Sequence, residues 1–347
     1  MSSLRERVIA GLEERRERII NGDINCIPLP FKRFRSELPG IEQGKYYLIS
    51  GATKASKTQL TNYLFMYNTI LYSYYNQGII QPKIFYYNLE ETAEAITLRF
   101  MSYLLYTLSE KRISPTDLSS TNTEFPLEEE IIDLLRSEEY TNILDYYEEV
   151  VSFMSSRNPT GVWKDLKYYA DNHGTIHNKK CIYKDELGLE KIGEQFDYYE
   201  PNNPNEYVFI IIDHVSLLEV ERNMTLRECI NKLSEYMIIL RNRYKYIPVV
   251  VQQQSVETTN LEAFKNNKIR PTMSGLSDSK YTAKDCDVML GITNPFSYEI
   301  PEYLQYNIKL FKGNFRCLEV VLNRSGQSNG ICPLFFDGAI NFFGELK

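Results

Sequence analysis

The longest unbroken apolar run in the chain is Tyr207-Val208-Phe209-Ile210-Ile211-Ile212, and it closes on a carboxylate, Asp213. A run without polar alternation is what a strand covered on both faces requires, as in a parallel sheet. Other segments share that character. Residues 46–50 read as a short buried strand, 82–90 as a strand ending in Glu90, 247–252 as a strand ending in Gln252, and 287–292 as a further strand. Between them lie stretches of helical period, from Gln59 onward, over 92–108 and over 226–246. After residue 292 the pattern changes. Segments 306–311, 318–323, 331–335 and 339–343 follow one another without intervening helices and predict antiparallel hairpins. The fold class this predicts is α/β, a mostly parallel central sheet extended by C-terminal antiparallel strands.

Outside that core the pattern is looser. Residues 3–20 alternate charges with Leu4, Val8, Ile9, Leu12, Ile19 and Ile20 at near-helical spacing, and Asn21-Gly22 stops the helix. Its narrow apolar stripe serves equally to pack on its own domain or on a neighbouring subunit. A proline-punctuated connector leads to the first strand. Residues 109–160 are polar, acidic and proline-marked with helical pieces, which predicts an inserted helical hairpin or lid on a solvated face. In 161–206 a helix is predicted over 163–170 and a turn over 171–174. His173, His177 and Cys181 fall four apart, but Gly174 and the loop-like composition argue against a helical metal face.

Composition narrows the function classes. The 347 residues are long for one domain and short for two, and 43% hydrophobic with 24% charged residues describes an ordinary globular protein. The 6 cysteines are scattered without a C-x-x-C pair, against a zinc site or a disulfide framework and in keeping with a reducing cytoplasm. The first residues lack the apolar centre of a signal peptide, and no apolar run is long enough to span a membrane. A net charge of −7 argues against a surface coated in nucleic acid. Residues 117–149, however, hold 11 acidic side chains and one basic, a local −10 that leaves +3 for the remainder and room for a basic channel. The 27 tyrosines suit strands, cores and interfaces.

The chemistry concentrates at strand ends. Between the strand 46–50 and the helix from Gln59 lies Gly51-Ala52-Thr53-Lys54-Ala55-Ser56-Lys57-Thr58. A phosphate-binding loop has this context: backbone N–H groups wrap phosphate, lysine meets the β/γ oxygens, the hydroxyl ligates Mg²⁺, and the helix N-terminus adds positive potential. Ser56 stands where the pattern G-x-x-x-x-G-K-[ST] has its second glycine. Gly51 to Gln59 are therefore the expected nucleotide-binding residues. Glu90, Asp213 and Gln252 close the other strands, and ligands of open parallel sheets sit at such carboxyl ends. Phosphoanhydride hydrolysis needs a phosphate cradle, a carboxylate for Mg²⁺, a base to orient water and a polar sensor of the γ-phosphate. These four strand ends supply them in that combination.

With those residues in place, the chain resembles the motor domain of replicative hexameric helicases of the DnaB type, a branch of the RecA-like ATPases. The resemblance runs from about Gly22 to Phe343, interrupted by the acidic block. Gly40-Ile41-Glu42-Gln43-Gly44 is similar to the family's lead-in to its phosphate loop, and Asn88-Leu89-Glu90 to its Ser-Leu-Glu, which implies that Glu90 polarises the attacking water. Asp213-His214-Val215-Ser216-Leu217-Leu218 resembles the segment whose aspartate supports Mg²⁺ beside Thr58. Arg270-Pro271, then Ser274 to Lys280, then Asp285-Cys286-Asp287 resembles the pore loop that holds DNA phosphates, which implies DNA contacts from Ser277, Asp278 and Lys280. Ser277 replaces the family's arginine and Lys280 its glycine, and Lys265, Lys268, Arg270 and Lys284 are further cations of that segment. Asn323-Arg324-Ser325-Gly326 resembles the region of the arginine finger, implying that Arg324 reaches a neighbour's γ-phosphate. Leu322 stands where the family has a lysine, with Lys309, Lys312 and Arg316 as candidate replacements.

The resemblance implies one RecA-like ATPase domain over 23–347, with a linker helix over 1–22 that docks on the adjacent subunit. The family's primase-recruiting N-terminal domain has no counterpart here, which suggests a bacteriophage or plasmid protein acting in the (host) cytoplasm. The implied function is a homo-oligomeric ring, a hexamer, that uses ATP and Mg²⁺ to move on single-stranded DNA and unwind duplex, with a primase or a helicase loader as further partner. The alternatives are a nucleotide-binding scaffold or loader of weak turnover, and a RecA-like recombinase ATPase.

Overall fold

The computed structural model describes residues 4–184, 188–255 and 269–347. The amphipathic N-terminal segment forms α1 (Leu4–Ile20), and two-residue strands β1 (Ile27–Pro28) and β2 (Gly40–Ile41) clip the connector behind it. The core strands follow: β3 (Tyr47–Gly51), β4 (Gln81–Asn88), the short β5 (Val151–Phe153), β8 (Glu206–Asp213), β9 (Ile247–Gln253) and β10 (Val288–Thr293). Strands β13 (Phe315–Asn323), β14 (Ile331–Asp337) and β15 (Phe342–Glu345) complete one nine-stranded sheet, in the order β15-β14-β13-β10-β3-β9-β8-β4-β5. From β10 to β5 all neighbours are parallel, and from β10 to β15 all are antiparallel. The α/β class with its antiparallel extension is the one the hydrophobic pattern predicts.

Alternation along each strand sorts the core into two layers. Odd-numbered residues of β8 and β9 (Tyr207, Phe209, Ile211, Val249, Val251) enter one layer and even-numbered ones (Val208, Ile210, Ile212, Val250) the other. The first layer is covered by α2 (Lys57–Thr61), a π-helical stretch over Asn62–Tyr67, α3 (Asn68–Tyr75) and α4 (Ala93–Ser109). The second is covered by α8 (Pro159–Asn172) and α9 (Leu226–Tyr244). Both layers draw heavily on tyrosine. Tyr46, Tyr47, Tyr67, Tyr86, Tyr87, Tyr140, Tyr147 and Tyr207 are fully buried, and Tyr67 stacks on Tyr103 with centroids 4.9 Å apart.

Four expectations change. The acidic block is helical in pieces, and only its first part, residues 117–130, is solvated. After α5 (Pro115–Leu118) and α6 (Glu129–Leu135), α7 (Glu138–Val150) buries Tyr140, Ile143, Tyr147 and Val150 at helical spacing in the first layer, with its carboxylates outward. The chain then enters the sheet as its edge strand β5. Second, residues 174–201 form a long hairpin, β6 (Gly174–Lys184) with β7 (Glu190–Pro201). It carries charge on both faces, so no apolar alternation marks it; distal residues such as Ile182 and Ile192 are exposed. His173 sits at the end of α8, and His177 and Cys181 lie on β6. Third, in 306–311 only β12 (Tyr306–Asn307) is extended, pairing with β11 (Glu302–Tyr303). Asn307 then caps a helical turn, Ile308–Phe311, its Oδ1 accepting from the Lys309 N–H at 3.1 Å. Fourth, the strand placed over 339–343 begins only at Phe342, because Asp337–Asn341 makes the turn from β14.

Helix α1 touches the rest of the chain through polar groups: Arg15 with Glu42 at 3.0 Å and Arg18 with Asn205 at 3.0 Å. Its stripe of Val8, Ile9, Leu12, Ile19 and Ile20 is exposed, so the helix does not pack its apolar face on its own domain. Among the described residues no helix is long and apolar enough to cross a membrane.

Candidate active site

Strand β3 lies between β9 and β10, and its last residue, Gly51, has no room for a side chain. A Cβ there would meet the Ile292 carbonyl oxygen at 2.5 Å and the Ala55 Cβ at 3.2 Å. The loop therefore leaves the sheet at a point only glycine allows. Ala52, Thr53, Lys54 and Ala55 close a tight turn, the Ala55 N–H donating to the Ala52 carbonyl at 3.2 Å. Lys54 and Ser56 both have positive φ, 61° and 74°. Ser56 thus takes the left-handed conformation that glycine takes most easily, directly before α2. Its Oγ accepts from Nε and Nη2 of the buried Arg316, at 3.1 and 3.0 Å.

Lys57 opens α2 and donates Nζ to the Ala52 carbonyl at 3.0 Å. Burial pulls its pKa below the usual lysine range, against the attraction of Asp213 and Glu90. Thr58 and Gln59 follow on the first turn. Asp213 has the parity of the first layer, so β8 delivers it to the face of the loop helix. It is 3% exposed, and its pKa is raised to about 6 by burial, which a hydrogen bond from Thr58 partly opposes. Oδ2 accepts from the Tyr86 hydroxyl at 3.3 Å, while Oδ1 is buried without a hydrogen-bond partner. A hydroxyl and an unsatisfied carboxylate oxygen are hard oxygen donors of the kind Mg²⁺ takes, so these residues fit that ion.

Glu90 lies just beyond β4, half-exposed, with Oε2 3.6 Å from Nε2 of His214. The turn carrying it is held by Arg157 on the Leu89 carbonyl (2.9 Å) and by Asn88 on the Glu91 carbonyl (2.8 Å). Burial lowers the His214 pKa, so its imidazole tends to neutrality. The sheet thus brings Gly51 to Gln59, Asp213 and Glu90 to one end.

Gln252 is not part of that group. Parity places it on the opposite face, where its amide donates to the Ser277 and Ser279 carbonyls at 2.5 and 2.7 Å and accepts from Thr282 at 2.5 Å. The next residue, Gln253, faces the loop and donates Nε2 to Oγ1 of Thr53. Gln252 is the first polar residue after the apolar run; the residue on the loop face is the second, Gln253.

Ser277 is joined to the same strand end, its N–H and Oγ both donating to the Gln253 carbonyl at 2.9 Å. Asp278 accepts from Ser216 at 2.7 Å, and Lys280 is exposed. Lys265 and Lys268 lie outside the described residues. Arg270 pairs with Glu319 at 3.6 Å, and Lys284 lies 5.0 Å over the Tyr281 ring. Asp285 and Asp287 are structural, bonded to Ser234 (2.7 Å) and Arg241 (2.8 Å) of α9. Arg324 follows β13 at the far pole of the sheet from the Gly51–Thr58 loop, where Nε donates to the Cys286 carbonyl at 2.8 Å and Nη2 to that of Lys284. Of the candidates to replace a lysine at Leu322, Lys309 and Lys312 are exposed and Arg316 alone is buried against the loop. Two charges, Arg316 and Glu319, inside the otherwise apolar stretch Phe315–Val321 are the sequence sign that this strand carries buried polar chemistry.

No protein-family model matches the sequence, and no curated protein matches it. Solved structures do match in fold. The ATPase domain of G40P superposes with a TM-score of 0.66 at 15% identity, covering 100% of both chains. A DnaB-like replicative helicase, solved for its interactions with primase, superposes with a TM-score of 0.66 at 14% identity, covering 100% of this chain and 68% of the other. The chain shares the α/β fold of these two structures.

Proposed function

We propose that this chain is an ATP-hydrolysing motor that assembles into a ring, a hexamer, and moves on single-stranded DNA to separate duplex. The observation that carries the reading is the buried, partly unsatisfied Asp213 facing Thr58 and Lys57 beside a loop of phosphate-binding shape. Backbone N–H groups of Gly51 to Thr58 and the Lys57 ammonium hold the phosphates. Thr58 and Asp213 would hold Mg²⁺, which would supply positive charge to the phosphate oxygens. Glu90 orients and deprotonates the attacking water, with His214 at its side. Gln253, rather than Gln252, is the amide placed to sense the γ-phosphate through the Thr53 loop.

Arg324 lies too far from its own loop to act there, so its role is on a neighbour's nucleotide. The exposed stripe of α1 supports docking on that neighbour. The 277–280 segment is tied to the Gln252–Gln253 strand end through Ser277 and Ser279, and Ser277, the Asp278 backbone and Lys280 contact DNA phosphates without sequence preference. Such a motor works in the cytoplasm, with a primase or a helicase loader as candidate partner.

The test is ATP turnover with Mg²⁺, with and without single-stranded DNA, beside Glu90→Gln. DNA-stimulated turnover that the substitution abolishes, with nucleotide binding retained, supports the motor. Ring assembly on ATP without turnover in either protein replaces it with a nucleotide-gated scaffold. DNA-stimulated turnover without strand displacement on a forked duplex points instead to a recombinase-like ATPase.

A further inference from the structure

Ser56 occupies a glycine position at φ 74° and ψ 36°, a conformation in which a side chain is strained. A residue persists in such a conformation when its surroundings over-determine it. Among the described residues the Ser56 hydroxyl is held by one side chain, 260 positions away in sequence: Arg316 of β13 aims both Nε and Nη2 at it, while the Ser56 carbonyl accepts from the Leu60 N–H at 2.9 Å. Its third nitrogen, Nη1, is anchored to the Gly313 and Phe315 carbonyls at 2.8 and 2.7 Å, and the guanidinium lies 4.8 Å over the Phe336 ring. Arg316 is 5% exposed and, among the described residues, makes no ion pair; burial alone lowers its pKa to about 10. An arginine so placed is costly to the fold, which directs attention to what it holds.

We propose that Arg316 is a positioning residue of the nucleotide site, clamping Ser56 in the left-handed conformation so that the phosphate loop keeps its binding shape without the second glycine. The inference rests on the nucleotide-site reading above. Its chemistry is simple. Two charged donors occupy both acceptor positions of the Ser56 oxygen, so the side chain is fixed from one direction by a single planar group. The fixed guanidinium also adds positive potential beneath the loop. The glycine of the usual pattern reaches the conformation by lacking a Cβ; here a serine reaches it by being held.

The experiment is equilibrium titration of a fluorescent ATP analogue with Mg²⁺ against the full chain, with thermal melting of each variant. Losing two charge-assisted hydrogen bonds predicts that Arg316→Gln weakens binding about tenfold or more. Ser56→Ala, which keeps the Cβ and loses the clamp, weakens it similarly. Ser56→Gly needs no clamp and binds within about threefold of the parent, and in that background Arg316→Gln costs several-fold less than in the parent. Equal cost of Arg316→Gln in both backgrounds, or Ser56→Ala binding like the parent, overturns the clamp. If Arg316→Gln does not fold, the Ser56→Ala and Ser56→Gly pair decides alone. A parent that binds no nucleotide sinks the functional reading itself, an outcome distinct from a parent that binds and variants that bind equally well.

Discussion

The hydroxyl of Tyr86 shares its proton between Oδ1 of Asn62, at 2.9 Å, and Oδ2 of Asp213, at 3.3 Å. One phenol thereby connects β4, β8 and the π-helical stretch behind the phosphate loop. Tyr86→Phe is expected to cost about 1.5–3 kcal/mol, the range for a buried hydrogen bond to a charged group. It also leaves Asp213 less well held, so the Mg²⁺ concentration for half-maximal turnover should rise. Thermal melting and a Mg²⁺ titration of ATPase activity check the two effects separately.

The two adjacent glutamines should separate cleanly. Gln253→Ala touches only the exposed contact to Thr53 and is expected to lower turnover by about tenfold or more with stability within about 0.5 kcal/mol. Gln252→Ala removes three buried hydrogen bonds to the 277–282 segment and is expected to lower stability by about 2–4 kcal/mol and to blunt stimulation by DNA. The reverse pattern in denaturation and turnover would return the sensor role to Gln252.

Helix α7 of the acidic block packs one face into the core. Ile143→Ala on α7 should destabilise by about 2–5 kcal/mol, as large-to-small changes in packed interiors do. The exposed neighbour Glu148→Ala should change stability by less than about 0.5 kcal/mol. A detachable lid would give small values for both in chemical denaturation.

Leu12 of α1 is 64% exposed, so Leu12→Glu should leave melting temperature and nucleotide binding unchanged while lowering the assembly state. Sedimentation velocity with and without nucleotide measures this. Unchanged assembly would show that the stripe does not hold subunits together.

Much of this arrangement is local and was legible along the chain. Continuous apolar runs specify buried strands because burial on both faces tolerates no polar alternation. The strand-loop-helix around Lys57, and the acids Glu90 and Asp213 at strand ends, follow from the same pattern, since a strand ends where its apolar run does. The substitution at Ser56 was visible as a departure from a local pattern.

Other features depend on which surface covers which face, and no local pattern carries that. Gln252 and Gln253 differ by one position, hence by one face, and only the packing of α2 on the odd-numbered face decides which meets the loop. The edge strand β5 and the β6–β7 hairpin are too short or too charged to show a one-sided apolar pattern. Arg316 reads along the chain as one of two charges, with Glu319, in a largely apolar strand; its partner appears only when the antiparallel pairing of β10 with β13 sets it beside Ser56. Sequence determined the elements and the chemistry at their ends, because propensity and burial act over a few residues. Tertiary structure decided the partners, because a contact 260 positions apart exists only once the sheet has closed around it.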